Sequence, residues 1–386
     1  MDSRHGGGNP KRFPEGCEKS LALRDLSQKD EAHWLKTFPE IAGELGIIAA
    51  RSTLEGVFHK QHNIFRRRAA HKPSLTPSHI EARLAFAHTA LQIAVNTIVF
   101  TDEMWVEFGK PRRQRNVSRY RGVDRHQYAI HDKDHEKQPI RIMFWGAIRF
   151  GSKGPCHVWE QDTLEDQRQF QHIVNQENQT NRERQEVNCQ QATIPGTWQH
   201  QALAEFNDNI ERTNGEEGRT GRNKRKRRKA EQLFKEKELV FTSKGGINWV
   251  SYRERVLRPK LYPWMETQKE MMQVPHLYLV EDNAPCHQTA RQIDNTERQS
   301  RGIITLDWPS KSPDLNQIER IWEYEKDDLS TWKFMGAGRA AVEGAKHALV
   351  ETWEALPQAV IDRECESFHE KLRRVILSAG NNNFNG

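Results

Sequence analysis

The alternation of apolar and polar positions divides the chain into helical ends and a middle that contains strands. Apolar residues recur at helical spacing in residues 31–60, 78–95 and 339–379. Short apolar runs that predict strands lie between these segments, at residues 97–100, 142–148, 157–159, 277–280 and 303–306. Strands interleaved with helices predict an α/β domain.

Two polar stretches interrupt this pattern. Residues 1–30 are polar and begin with a Gly-rich run, which predicts a disordered arm. Residues 162–239 are rich in Gln, Asn, Arg and Glu, which predicts an insertion that lies outside the core. Within residues 31–60, Gly46 separates two short amphipathic segments, as in a helix-turn-helix. An ordinary helical hairpin explains that pattern equally well.

The charge balance favours a polyanionic partner. The 386 residues carry a formal net charge of +6 with a pI near 9.0, and basic residues cluster at 66–68, 112–121 and 222–229. No apolar run reaches the length of a membrane span. The five cysteines include no CxxC pair, so we expect no disulfide framework and no zinc site.

Three acidic residues stand where predicted elements end or begin. Asp102 and Asp282 each follow a predicted strand, and Glu319 lies in the first turn of a predicted helix. The ends of strands are the usual position of sites in open α/β folds. Each acid also has a structural explanation, as part of a turn or a helix cap. The pattern alone does not choose Asp102 over Glu103, or Glu319 over Glu323.

Converging carboxylates suit a particular chemistry. They bind hard cations such as Mg²⁺. Two such ions activate an oxygen nucleophile and stabilise a leaving oxygen, and thereby cut and join phosphodiesters. The sequence therefore predicts a metal-dependent site that acts on nucleic acid.

Four segments carry a resemblance to a known family. VFTDEMW, IMFWGAI, LVEDNAPCH and DWPSKSPDLNQIERIWEYEKDDL resemble the Asp-Asp-Glu transposases of the mariner superfamily, most of all fungal members with a long polar insertion. The resemblance implies a ribonuclease-H-like catalytic domain with Asp102, Asp282 and Glu319 as catalytic and metal-binding residues. Gln317 stands where the family usually has proline, so we expect a looser entry into the helix of Glu319.

The same resemblance implies an activity and its partners. We expect cut-and-paste DNA transposition with two Mg²⁺ or Mn²⁺ ions, acting on double-stranded DNA at terminal inverted repeats and at the target. We also expect a homodimer on DNA, a nuclear location and no membrane association. The alternative is a degenerate or domesticated DNA-binding protein that keeps the fold without transposition. A ribonuclease or junction nuclease is disfavoured by the helix-turn-helix pattern and the SPDLN block.

Basic and polar residues outside the acidic site are candidates for DNA contact. If the second helix of the helix-turn-helix enters a major groove, Arg51, Ser52 and Thr53 are placed to touch DNA. The basic linker adds Arg66, Arg67 and Arg68, which suit a minor groove or phosphates. Residues 222–229 fit either a nuclear import signal, formed by Lys224, Arg225, Lys226, Arg227 and Arg228, or a phosphate-binding patch. A solvated helix face explains the same residues.

The predicted fold is an α/β, ribonuclease-H-like catalytic domain with a polar insertion, preceded by a helical helix-turn-helix region. Its predicted parts are a 1–30 disordered arm, a 31–75 DNA-binding region with basic linker, a 76–95 connecting helix, a 96–335 endonuclease domain with its insertion at about 162–239, and a 336–386 C-terminal helical segment.

Overall fold

The computed structural model describes residues 13–66, 73–108, 140–242, 246–330, 332, 334 and 338–382. The chain divides into two compact units, Met1–Lys72 and Pro73–Gly386. Within the described ranges, no helix is long and apolar enough to cross a membrane. Arg67 and Arg68 lie outside the described residues.

The first unit is a small helical bundle. Its helices are α1 (Glu18–Ser27), α2 (Glu31–Leu35), α3 (Phe38–Glu44) and α4 (Arg51–Gly56), and α4 continues as a π-helical turn (Val57–Gln61). Helices α3 and α4 occupy the segment predicted as a helix-turn-helix, and Gly46 in the connection has a φ of 65°, a left-handed conformation that glycine adopts without strain. A capping box between Thr37 and Glu40 begins α3.

The prediction of a disordered arm over residues 1–30 is wrong for residues 18–27. Helix α1 forms because Leu23 is fully buried in the core of the first unit, together with Phe13, Ile41 and Phe58. Burying one side chain of this size stabilises the folded protein by roughly 1.5–3 kcal/mol. The few apolar residues of α1 are enough to hold the helix against the bundle, although its composition is polar.

The second unit is built on a five-stranded mixed sheet. The strands are β1 (Ile98–Phe108), β2 (Ile140–Arg149), β3 (Ser152–Val158), β4 (Leu277–Val280) and β5 (Ile303–Thr305). Their order is β3-β2-β1-β4-β5, with β1, β2 and β3 antiparallel and with β4 and β5 parallel to β1. Three antiparallel strands followed by two parallel ones form the ribonuclease-H-like arrangement that the sequence predicts.

Helices cover both faces of this sheet. They are α5 (Pro77–Ala90), α9 (Trp249–Tyr252) with a π-helical continuation (Arg253–Leu261), α10 (Tyr262–Met272), α11 (Pro285–Ile293), α12 (Asn295–Ser300), α13 (Ile318–Leu329), α14 (Arg339–Ala355) and α15 (Gln358–Leu377). One core lies between the sheet and α5, α13, α14 and α15, and a second lies against α9, α10 and α11.

The segments predicted as a connecting helix and a C-terminal helical segment belong to the core of the second unit. Phe86 of α5 and Phe368 of α15 are buried in the same cluster as Phe100 of β1. The rings of Phe100 and Phe368 lie 5.1 Å apart in an edge-to-face arrangement. The division at residues 95 and 335 is therefore not observed, because α5, α14 and α15 share one core with α13 on this face of the sheet.

The predicted insertion is a helical hairpin with an ordered return. It comprises α6 (Leu164–Gln191), α7 (Trp198–Glu216) and the short α8 (Ala230–Leu233). Phe170 and Val174 at the start of α6 are buried in the second core. The beginning of the insertion thus contributes to the core, contrary to the expectation that all of it lies outside.

Candidate active site

The three acids predicted from the sequence line one cleft. Asp102, Asp282 and Glu319 share a cleft of about 380 Å³ with the turn that precedes α13. Asp282 follows β4 by two residues, and Glu319 lies in the first turn of α13. Asp102 does not end its strand as expected, because β1 continues to Phe108. The alternation of buried Met104, Val106 and Phe108 with more exposed neighbours was the signal for this longer strand.

Strand geometry distinguishes Asp102 from Glu103. Consecutive residues of a strand point to opposite faces of the sheet. Asp102 faces the cleft and shares a hydrogen bond with Glu319, whereas Glu103 contacts His287 on the other side, with 3.3 Å between Oε1 and Nε2. Glu323, the alternative to Glu319, is exposed and lies 3.4 Å from Arg320.

A close approach between aromatic rings and β2 positions α13 over β1. Gly146 is the cross-strand partner of Asp102. A Cβ atom at Gly146 would lie 2.8 Å from the rings of both Trp322 and Trp353, so only glycine leaves room for them. Trp322 belongs to α13, one turn after Glu319. Its packing on the sheet therefore brings Glu319 to the face that carries Asp102.

The turn before α13 is held by a buried arginine that the sequence analysis missed. Arg83 of α5 is fully buried and donates to both carboxylate oxygens of Asp314 at 2.8 Å and to Ser312 Oγ at 2.7 Å. Asn316 Nδ2 donates to the carbonyl of Thr101 at 3.1 Å, which ties the same turn to β1. Arg83 is more than 200 residues from its partners in sequence, and helical spacing in α5 gave no signal for it.

His287 connects Asp282 with Glu103. Its Nδ1 lies 2.5 Å from Asp282 Oδ1, and its Nε2 faces Glu103. Burial alone would lower the pKa of His287, but the Glu103 charge and the hydrogen bond with Asp282 raise it well above the usual range. Burial alone would raise the pKa of Asp282, but the contact with His287 and the N–H of Ala284 lower it.

The other two acids titrate in the opposite direction. Burial first, and then the charges of Glu319 and Glu103, raise the pKa of Asp102 well above its usual range. Burial likewise raises the pKa of Glu319, while the hydrogen bond with Asp102 opposes that rise. Like charges buried this close together oppose each other's ionisation, and a divalent cation in the cleft would relieve that repulsion.

The donors fit a hard divalent cation. Within the described part of the chain, no group of three His, Cys, Asp or Glu side chains already has the spacing of a metal site. The cleft nevertheless combines two hydrogen-bonded carboxyl groups with the half-exposed carboxylate of Asp282. In the residues that the structure describes, buried Asn316 Oδ1 has no hydrogen-bond partner. Oxygen donors of this kind are those that Mg²⁺ and Mn²⁺ take.

Behind Asp282 lies a second group of residues that the sequence analysis missed. Glu281 is buried and accepts hydrogen bonds from Arg298 at 2.5 Å and from Tyr252 at 2.9 Å. Burial alone would raise the pKa of Glu281, but the positive charge of Arg298 lowers it. The pair fixes the backbone at the end of β4, which is where Asp282 leaves the sheet.

The candidate DNA-contacting residues of the first unit differ in their exposure and in their hydrogen bonds. Arg51 begins α4 and is 80% exposed, although its Nε donates to Glu55 at 2.8 Å. Ser52 is exposed and Thr53 is half-buried on the same helix. Arg66 donates to the carbonyls of Leu35 and Lys36 at the end of α2. These bonds hold Arg66 against its own unit.

A buried carboxyl on α13 predicts a dependence of stability on pH. Glu325 is fully buried, and in the described residues neither carboxylate oxygen has a hydrogen-bond partner. Burial, helped by the Asp328 charge and opposed by Lys153, raises the pKa of Glu325 to about 8. The folded protein therefore holds this proton more tightly than the unfolded chain. Stability should fall as pH rises from about 4.5 to 8, by at most about 1.4 kcal/mol per pH unit.

The substitution Glu325→Gln should remove that dependence. Glutamine is neutral at every pH, so the variant should become progressively more stable than the wild type between pH 5 and pH 8. Urea unfolding at a series of pH values measures this difference. Glu323→Gln, an exposed position on the same helix, is the control and should track the wild type. A constant difference between Glu325→Gln and wild type across the range would contradict the assignment.

Sequence comparisons identify relatives of the part of the chain that contains two of the acids. A family model described as the DDE superfamily endonuclease matches residues 205–335, which include Asp282 and Glu319. The Tcb2 transposase of Caenorhabditis briggsae is 34% identical over 100 residues, and the Tc1 transposase of Caenorhabditis elegans is 37% identical over 101 residues. Each match covers 26% of this chain and 34% of the relative. These matches confirm the predicted resemblance to the mariner superfamily.

Solved structures of a mariner transposase share the fold. A Mos1 transposase paired-end complex with the left transposon end superposes with a TM-score of 0.60 at 14% identity, covering 100% of this chain and 83% of that chain. A mariner Mos1 paired-end complex with Mg gives a TM-score of 0.61 at 15% identity, covering 99% and 83%. At an identity this low, the likeness shows a shared fold alone.

The departure from the usual mariner pattern at Gln317 has a structural counterpart. Gln317 is fully buried before α13, where its Nε2 donates to the carbonyl of Leu315 at 3.3 Å. Ser367 of α15 donates to its Oε1 at 3.1 Å. A looser helix entry is therefore not observed. One hydrogen bond from α15 and one to the preceding turn hold this position, where a proline would act through its fixed φ.

Proposed function

We propose that this chain is a transposase that cuts and rejoins DNA by cut-and-paste transposition. The observation that carries the proposal is the cleft shared by Asp102, Asp282 and Glu319 on a ribonuclease-H-like sheet. The chain spans 34% of the length of the two nematode relatives described above. Their names support the activity, and the site residues supply the chemistry.

Asp102, Asp282 and Glu319 are the residues that would hold the metal, with Mg²⁺ or Mn²⁺ as the ion and two ions as the expected number. Metal bound there would activate an oxygen nucleophile and stabilise the leaving oxygen. Mos1 paired-end complexes with Mg and with Mn support this choice of metals. The role of His287 is to orient the Asp282 carboxylate through the 2.5 Å contact.

The partners follow from the proposed reaction. The substrate is double-stranded DNA, both at terminal inverted repeats and at the target site. The Mos1 structures are paired-end complexes, which supports a homodimer on DNA. A nucleus is the compartment in which such an enzyme meets genomic DNA, and Lys224, Arg225, Lys226, Arg227 and Arg228 stay the candidate nuclear signal.

An excision assay tests the function as a whole. The substrate is a supercoiled plasmid in which a marker lies between two copies of the repeats that flank the coding gene. The full chain with Mg²⁺ or Mn²⁺ should release the marker, and excess EDTA should stop the release because the donors are carboxylates. Repeat-specific binding without any cleavage in either metal would favour the domesticated DNA-binding protein.

The predicted DNA contacts of the helix-turn-helix region are tested in a separate experiment. Arg51 and Ser52 lie at the start of α4 and are exposed. The double substitution Arg51→Ala with Ser52→Ala should weaken binding to the repeats about 10-fold or more, since a good base contact is worth about 1–3 kcal/mol. Binding to unrelated duplex DNA should change far less. Fluorescence anisotropy measures both affinities.

Lys60→Ala is the matched control, because Lys60 is exposed on the same unit beyond α4. It should lower the affinity for both DNAs equally, as the loss of one phosphate contact does. A double variant that keeps its full preference for the repeats would remove Arg51 and Ser52 from the set of base-reading residues.

A further inference from the structure

The insertion holds its most basic segment in a defined conformation. Residues 222–229, termed here the basic strip, contain seven basic residues in eight. Asn207 Oδ1 accepts the N–H of Arg228 at 2.7 Å, and its Nδ2 donates to the carbonyl of Arg228 at 3.1 Å. Asn214 makes the same pair of bonds with Arg225, both at 2.8 Å. Each asparagine therefore pairs with the strip as a neighbouring strand would.

The spacing of the two asparagines matches the spacing of the strip. Asn207 and Asn214 are buried on one face of α7, seven residues apart. Seven helical residues span about 10.5 Å at 1.5 Å per residue. Three extended residues, from Arg225 to Arg228, span about 10 Å at roughly 3.3 Å each. The strip therefore runs antiparallel to α7 in register with it.

A third asparagine anchors the return of the chain. Asn178 of α6 is buried, accepts the N–H of Leu239 and donates to its carbonyl, both at 2.8 Å. Buried amides that lose such partners cost about 1–3 kcal/mol each. The three asparagines thus fix the path of the segment after α7 at positions 225, 228 and 239.

The backbone of the strip is occupied while its side chains face solvent. Every residue from 221 to 229 is exposed. Arg227 has acidic neighbours on α7 at 3.6 and 3.8 Å, and Arg225 lies 3.8 Å from Glu217, just beyond the end of α7. Among the residues that the structure describes, Lys224, Lys226 and Lys229 form no ion pair. The result is a row of cations on a fixed backbone. Binding then costs the entropy of ordering the side chains but not that of ordering the backbone.

We propose that the basic strip is a preorganised binding site for the phosphate backbone of double-stranded DNA, with Asn207 and Asn214 as its positioning residues. A row of cations neutralises phosphates without reading bases. An import receptor that pairs with the backbone of an extended peptide would first have to displace both asparagines. The choice of DNA as the polyanion rests on the proposed function.

The test compares two pairs of lysines in the full-length chain. Lys224→Ala with Lys226→Ala removes two charges from the strip. Lys235→Ala with Lys237→Ala removes two exposed charges from the same insertion outside the strip, and is the control. Binding to a random-sequence 30-base-pair duplex is measured by anisotropy from 50 to 200 mM salt. The strip variant should reduce the slope of log K against log salt by about 1.8, since each phosphate contact contributes about 0.9.

A second variant tests the positioning role without changing charge. Asn207→Ala with Asn214→Ala keeps every cation but frees the strip. It should weaken duplex binding several-fold, and trypsin should cut within residues 222–229 much faster than in the wild type. A circular dichroism spectrum and thermal transition close to those of the wild type show that α6 and α7 remain folded. If α6 and α7 unfold in this variant, the comparison of the two lysine pairs alone decides whether the strip binds DNA.

The outcomes separate this inference from the proposed function. Equal salt slopes for the two lysine variants would overturn the inference. Unchanged DNA binding by the strip variant, together with loss of nuclear accumulation of a fluorescent fusion, would assign the strip to an import receptor and also overturn it. The binding experiments on the lysine and asparagine variants use duplex DNA without repeats and without metal. The excision assay therefore fails or succeeds independently of them.

Discussion

Replacing Asp282 by asparagine should abolish metal-dependent DNA cleavage and leave DNA binding nearly unchanged. Asparagine has the shape of aspartate but lacks the negative charge that a divalent cation requires. Metal stabilisation of the transition state is worth several kcal/mol. Because about 1.4 kcal/mol corresponds to a factor of ten in rate, we expect a loss of roughly a thousandfold or more. Excision from the repeat-bearing plasmid measures the rate, and anisotropy measures binding.

Asp307→Asn is the matched control for this prediction. Asp307 is fully exposed in the same part of the chain and lies 3.7 Å from Arg291. It removes one negative charge near the site without touching the three acids that line the cleft. Wild-type cleavage by Asp282→Asn, or equal losses in the two variants, would show that Asp282 does not hold the metal.

Arg298→Met should be the most destabilising single change near the site. Arg298 is buried and pairs with buried Glu281 at 2.5 Å. Methionine fills a similar volume but leaves the Glu281 carboxylate buried without its counter-charge. Breaking a buried pair in this way costs about 3–5 kcal/mol. Urea unfolding monitored by tryptophan fluorescence measures the loss.

Arg301→Met provides the comparison, because Arg301 pairs with Glu266 and Glu297 at a partly exposed position. A pair of that kind contributes about 1 kcal/mol or less. Adding Glu281→Gln to Arg298→Met should recover part of the stability, since it removes the unpaired charge. If the double variant is no more stable than Arg298→Met, the loss comes from packing and not from the isolated carboxylate.

Much of the site was predictable because local sequence places the acids. Asp282 follows a short apolar run, and Glu319 follows a turn-forming block, so both positions were evident without tertiary information. Strand alternation also predicts that Asp102 and Glu103 face opposite sides of the sheet and meet different helices. The full length of β1 was needed to apply it.

The supporting contacts were not predictable in the same way. Arg83 and Asp314 are 231 residues apart in sequence, and neither stands out from its surroundings. The same is true of Gly146, which is required because two tryptophans from α13 and α14 pack against it. Such requirements arise from the approach of distant elements. A single sequence contains no local signal for them.

Helices α14 and α15 illustrate the limit for domain boundaries. Their amphipathic pattern indicates helices but not the surface that their apolar faces cover. The buried contact between Phe100 and Phe368 shows that the sheet is that surface. The polar composition of residues 1–30 predicted disorder where α1 forms. One fully buried leucine and a few neighbours suffice to hold that helix.

The closed base of the insertion makes this region a natural point for grafting. The excursion leaves the core after Val174 and returns at Phe241, whose ring lies 6.0 Å from that of Phe170. Its ends are therefore already adjacent, and joining them requires little additional loop closure. We expect changes of length at the far end of the hairpin, between α6 and α7, to leave Asp102, Asp282 and Glu319 in place. A replacement segment can be grafted at that end, with the sheet retained as a constant scaffold.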